Sequence, residues 1–137
     1  MRTISITILE TSDVHGNIFP INYGNNEPAG LGLSKIATVI KAERSRNKNT
    51  IVIDNGDLIQ GTPLTYHYVR SSRHKQNPMV KLLNDLMYNA AVIGNHEFNY
   101  GIDVLQQAIK ESNFPWLSAN ILNEIGDPFI GKPYVVV

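Results

Sequence analysis

Apolar positions recur with three different periods along this chain. Ile4, Ile6 and Ile8 alternate with polar residues in the opening MRTISITILETSD, which predicts a strand ending at Glu10 or Thr11. Leu33, Ile36, Ala37 and Ile40 recur at helical spacing, and the charges of Lys41, Glu43, Arg44 and Arg46 follow; this predicts a helix over 31–46. Thr50 to Asp54 is short and almost continuously apolar, as expected of a strand in a sheet covered on both faces. Asn77-Pro78 caps and opens a helix with Met79, Leu82, Leu83, Leu86 and Met87 as core positions. Ala90 to Ile93 predicts another buried strand. Ile102 to Glu111 predicts a helix with Val104, Leu105, Ala108 and Ile109 on one side, and Trp116 to Ala119 a fourth strand. Asn22 to Gly32 reads as a loop, Ile125-Gly126-Asp127-Pro128 as a turn, and Pro133 to Val137 as the start of a further strand.

Strands alternating with helices predict a layered α/β fold with a mostly parallel sheet. Ligands of such sheets collect beyond the carboxyl ends of the strands. Asp13-Val14-His15, Gly56-Asp57 and Gly94-Asn95-His96-Glu97 follow the first, second and third predicted strands. The topology therefore sets all three clusters on one rim.

Composition narrows the chemistry. The chain has 137 residues, 42% hydrophobic and 18% charged, enough for one domain with a real core. Twelve basic residues balance twelve acidic ones, which argues against a nucleic-acid polymer as partner but not against a small anion. The absence of cysteine excludes disulfides, thiolate metal sites and a cysteine nucleophile. No apolar stretch approaches the roughly 20 residues needed to span a bilayer. The opening segment reads as a strand rather than a signal peptide, so the sequence as written predicts a cytoplasmic product; excerpted from an exported parent, it would be extracytoplasmic. KPYVVV is an apolar run with no turn or cap after it. That predicts that residues 1–137 are the first part of a longer domain, and that an exposed sheet edge would promote self-association.

The clusters offer carboxylate, amide and imidazole donors suited to hard and borderline divalent cations. Asp13 and His15, one residue apart, would share a side if extended. Asp57 follows a strand on a glycine turn, and its two oxygens can bridge two cations. Asn95 brings a neutral oxygen; His96 brings a ring that ligates or donates a proton. Taken singly, Asp-Val-His is a common triplet and Gly-Asp is more often a turn. In this order, all after strands, they point to phosphoester hydrolysis with two cations about 4 Å apart.

The DxH of Asp13 and His15, the GDxxxG of Gly56, Asp57 and Gly61, and the GNHE of Gly94 to Glu97 resemble the calcineurin-like metallophosphoesterase superfamily. LETSDVHGN, DNGDLIQGTPL, IGNHEFNYG and FPWLSANI are similar more narrowly to the 5′-nucleotidase and 2′,3′-cyclic-nucleotide 2′-phosphodiesterase family. The resemblance implies a metallophosphatase-type β-sandwich flanked by helices, with this chain as its N-terminal portion. It implies two divalent metal ions (manganese, zinc, magnesium, cobalt or calcium) and a nucleotide or cyclic nucleotide as substrate. Asp13 and His15 would bind the first metal, Asp57 both, and Asn95 the second. His96 would be the catalytic histidine, with Asn120 of the SAN segment and Asn99 on the substrate side. The family's later Gly-His and Gly-His-x-His histidines have no counterpart in these residues. His67 and His74 stand in other contexts and read as surface residues, so the chain alone is expected to be inactive and metal-poor. Three residues after the catalytic histidine, the 5′-nucleotidase branch usually has Asp. Asn99 stands here, which favours the cyclic-nucleotide phosphodiesterase/3′-nucleotidase branch; a 5′-nucleotidase or nucleotide-sugar hydrolase is the alternative. Glu97 reads as a structural residue bound to neighbouring backbone or charge rather than a ligand.

Overall fold

The β-branched run at 50–53 forms the second strand of a four-stranded parallel sheet. The computed structural model describes residues 3–137; Met1 and Arg2, ahead of the first predicted strand, lie outside them. The elements in order are β1 (Thr7–Thr11), α1 (Leu33–Arg46), β2 (Thr50–Asp54), α2 (Pro63–Ser71), α3 (Pro78–Asp85), β3 (Ala90–Val92), α4 (Ile102–Glu111) and β4 (Trp116–Leu117). A 3-10 turn spans His96–Phe98. The strands lie side by side in chain order, so β1 and β4 are the sheet's edges among the described residues. This is the layered α/β arrangement predicted from periodicity.

Register divides the sheet into two unlike faces. Leu9 pairs with Val52, and Asp54 with Ala91, which pairs in turn with Trp116; all of them share one face. That face seats the core, where Val52, Leu83, Leu105 and Trp116 are sealed from solvent with Ile40 of α1. Ile8 and Ile51 pair on the other face, beside Ile53 and Val92. There Ile8 is 64% exposed, and Ile51, Ile53 and Val92 are only half-buried. The expectation of a sheet covered on both faces therefore fails within these residues.

Other departures are local. α2 is a helix that periodicity did not predict. Thr62 and Thr65 form a reciprocal capping box around it, and Pro63 opens it. Asn77 caps α3 as expected, its amide oxygen accepting from the N–H groups of Met79 and Val80. Met87, expected in the core, turns out at φ 53° and is 66% exposed. The predicted strand over 133–137 does not form. Strand-like pairing ends at Lys132, whose carbonyl accepts from Ser118 N–H at 2.7 Å and whose N–H donates to Trp116 at 2.8 Å.

Candidate functional site

Three post-strand loops meet at one end of the sheet, and their backbones continue its pairing. Asp13 N–H donates to Gly56 O at 3.1 Å, His15 N–H to Asp57 O at 2.9 Å, and Gly16 N–H to Leu58 O at 2.9 Å. Asp13, His15 and Asp57 all adopt left-handed backbone, at φ 54°, 50° and 57°. Asp13 and His15 are thus not the extended strand end expected from their spacing; the turn, rather than the pleat, aims their side chains. Each such residue costs on the order of 1 kcal/mol, offset by the surrounding contacts. Glycine is required where the loops touch. A Cβ on Gly61 would meet His15 O at 2.5 Å, and one on Gly94 would meet Asp57 N at 2.7 Å.

The two histidine rings lie 5.0 Å apart, edge to face. One ligand atom each from His15, Asp57 and His96 falls within 4.8 Å of the others. His15 Nδ1 lies 3.0 Å from Gln60 O. A carbonyl only accepts, so Nδ1 carries the proton and Nε2 of the neutral ring keeps a free lone pair. That Nε2 is 3.8 Å from Asp13 Oδ1. His96 is held the other way. Asn99 Nδ2 stands 2.9 Å from His96 Nδ1. With the amide nitrogen as donor, Nδ1 accepts, and the neutral ring carries its proton on Nε2. The two rings are thus held at Nδ1 by opposite partners, an acceptor for His15 and a donor for His96.

Asp57 Oδ1 accepts from His96 N–H at 2.9 Å, tying the second cluster to the third. Behind them lie two buried carboxylates. Glu97 accepts from the N–H groups of Gly94, Asp57, Leu58 and Ile59 at 2.6–3.2 Å. This is the backbone role its sequence position suggests. Asp54 accepts from the Thr11 hydroxyl at 2.6 Å and from Gly56 N–H at 3.1 Å. The Thr11 oxygen is in turn 3.1 Å from Tyr88 Oη. Burial pushes the Asp54 carboxyl up to about 7; the Thr11 and Gly56 bonds oppose this, and Glu97 and Asp13 add repulsion. Burial likewise pushes Tyr88 up to about 12, against the Thr11 bond.

The structure gathers His15, Asp57 and His96 tightly, with Asp13 next to His15. Asp13 lies on the open rim, its carboxylate accepting from the Ser12 hydroxyl. Asn95 and Asn99 are exposed at either end of the 3-10 turn, and Asn120 is exposed three residues past β4. Neither Asn95 nor Asn120 uses its side chain in a hydrogen bond to the His15, Asp57 and His96 group. His67, in α2, and His74 are exposed and stand outside that group. Sequence reasoning missed Asp54, Thr11 and the Gln60 carbonyl. Of these, only the carbonyl's place in a Gly56-to-Gly61 turn had a local signal.

The sequence model of calcineurin-like phosphoesterases matches residues 6–136. A trifunctional nucleotide phosphoesterase protein of Bacillus subtilis is 39% identical over 140 residues, covering 97% of this chain and 10% of its own length. A 2′,3′-cyclic-nucleotide 2′-phosphodiesterase/3′-nucleotidase of Yersinia enterocolitica is 37% identical over 139 residues, 98% of this chain and 21% of its own. Among solved structures, a calcineurin-like phosphoesterase of Bacillus subtilis matches with a TM-score of 0.88 at 39% identity, over 95% of this chain and 41% of that one. The chain therefore spans about a tenth to a fifth of the length of these curated relatives.

Proposed function

Since this chain belongs to the calcineurin-like phosphoesterase family, we propose that its rim is part of a site that hydrolyses nucleotide phosphoesters with two divalent cations. Within that class, the reading favoured is 2′,3′-cyclic-nucleotide 2′-phosphodiesterase/3′-nucleotidase activity of the whole protein. The observation that carries the proposal is the convergence of His15, Asp57 and His96, one ligand atom of each within 4.8 Å of the others, with the two imidazoles held at Nδ1 by different partners. His15 presents a bare Nε2 because Gln60 O holds its Nδ1 proton, and His96 presents an Nε2 proton because Asn99 occupies its Nδ1.

The donor set fits a cation. His15 Nε2 is free, and Asp57 commits only Oδ1, to His96 N–H. Asp13, His15 and Asp57 would hold one ion, and Asp57 with Asn95 would contribute to a second. When bound, the cations supply positive charge against the phosphoryl oxygens and make a water more acidic. The protein's own part is orientation and proton supply. His96 donates its Nε2 proton to the departing ester oxygen. Asn99 holds the ring for that transfer without adding negative charge, whereas an Asp would raise the ring's basicity. Asn99 is therefore the residue that favours the cyclic-nucleotide branch.

The test is turnover of 2′,3′-cyclic AMP, 3′-AMP and 5′-AMP with manganese, by the whole protein that carries this chain. The cyclic and 3′ substrates should be hydrolysed in preference, and His96→Ala should slow both by about a hundredfold or more. Preference for 5′-AMP would reject the branch. Absence of turnover on all three would reject the hydrolase reading.

A further inference from the structure

We propose that Glu97 is a positioning residue that fixes Asp57 relative to His96 by bracing the two loops against each other. Glu97 has no solvent exposure, so it touches neither substrate nor a rim cation. Its Oε2 accepts from Asp57 N–H at 2.9 Å and Gly94 N–H at 2.8 Å. Its Oε1 accepts from Leu58 N–H at 2.6 Å and Ile59 N–H at 3.2 Å. The left-handed φ of 57° at Asp57 begins this run of three successive N–H groups converging on one point. Such a concavity ordinarily captures an anion from solution. Here a side chain of the neighbouring loop fills it.

The brace is reciprocal. While Glu97 of the third cluster holds the backbone of the second, Asp57 of the second holds the backbone of the third through His96 N–H at 2.9 Å. Each loop thus lends a carboxylate to the other's main chain. Gly94 sits at the crossing: a Cβ there would meet Asp57 N at 2.7 Å and Glu97 Oε2 at 2.9 Å. Loss of Glu97 frees the left-handed turn at Asp57, and with it the angle from which Asp57 meets both His96 and a cation. The consequence for metal affinity rests on the metal-site reading above; the loop coupling does not.

Amide hydrogen exchange on the metal-free chain tests the coupling. In the wild type, the N–H groups of Asp57, Leu58, Ile59, Gly94 and His96 should open as one cooperative unit. Glu97→Gln keeps the side chain's size but replaces one acceptor end with an NH2. Protection at 57, 58, 59 and 94 should fall about tenfold or more. His96 N–H, which Glu97 does not touch, should fall with them, while Ala91 and Ile93 in the sheet keep theirs. An unchanged His96 amide in the variant would overturn the proposal. Where the variant fails to fold, five unrelated opening rates in the wild type would overturn it equally. Manganese titration by calorimetry of the whole protein that carries this chain is the second readout. Glu97→Gln should weaken binding about tenfold or more, and should add nothing in an Asp57→Asn background. Wild-type affinity in the variant refutes the role toward the metal. A whole wild-type protein that binds no manganese refutes the metal site and leaves the exchange data to judge the brace.

Discussion

Asp54 and Glu97 are both fully buried carboxylates behind the same rim, yet they are satisfied very differently. Four backbone N–H groups from two loops converge on Glu97. Asp54 receives one hydroxyl and one N–H. Its carboxyl is consequently pushed up to about 7 by burial, beyond what those two bonds hold down. What a buried carboxylate contributes is thus set by the donors around it. Glu97 holds geometry; Asp54 holds a proton balance.

The sharpest way to break this contrast is Glu97→Ala. Four N–H groups would be left buried without acceptors, at about 1–3 kcal/mol each before relaxation. We expect a loss of about 5 kcal/mol in urea unfolding, a large fraction of a typical domain's stability. A loss under about 2 kcal/mol would mean that water or another acceptor replaces the carboxylate readily. Next comes the pH dependence. Asp54 binds its proton more tightly in the folded chain than at the ordinary value of 3.8. The stability it contributes is therefore full below about pH 3.8 and is lost as pH rises through about 7, on the order of 4 kcal/mol across that window. Asp54→Asn should remove this decline. Unfolding measured at intervals across the window in chelator checks it, and an unaltered slope would refute the assignment. The smallest effect belongs to Thr11→Val, which takes one donor from Asp54 and a partner from Tyr88. It should cost about 1–2 kcal/mol and move the loss of stability to higher pH.

Legibility in the sequence followed the range of the forces involved. The helix over Ile102–Glu111 and the strand over Thr50–Asp54 matched their predicted bounds, because local periodicity and burial agree there. α2 was legible but unread, since Thr62-Pro63-Leu64-Thr65 spells a helix start without an apolar stripe. The strand foreseen at 133–137 had the right residues but gains no pairing beyond Lys132. The three loops could be set on one rim from topology alone. Their left-handed turns could not, because Asp13 and His15 take that conformation under pairing with residues more than forty positions away. Glu97 shows the same limit, with three of its four donors 38–40 residues upstream.

The order in which this chain is synthesised now acquires meaning. β1 and β2 are both complete in sequence by residue 54, and the amides of Asp57, Leu58 and Ile59 come next. Those three amides lack their acceptor until Glu97, 38–40 residues later, has been made. The third loop therefore ends the second loop's exposure at the moment it completes the rim.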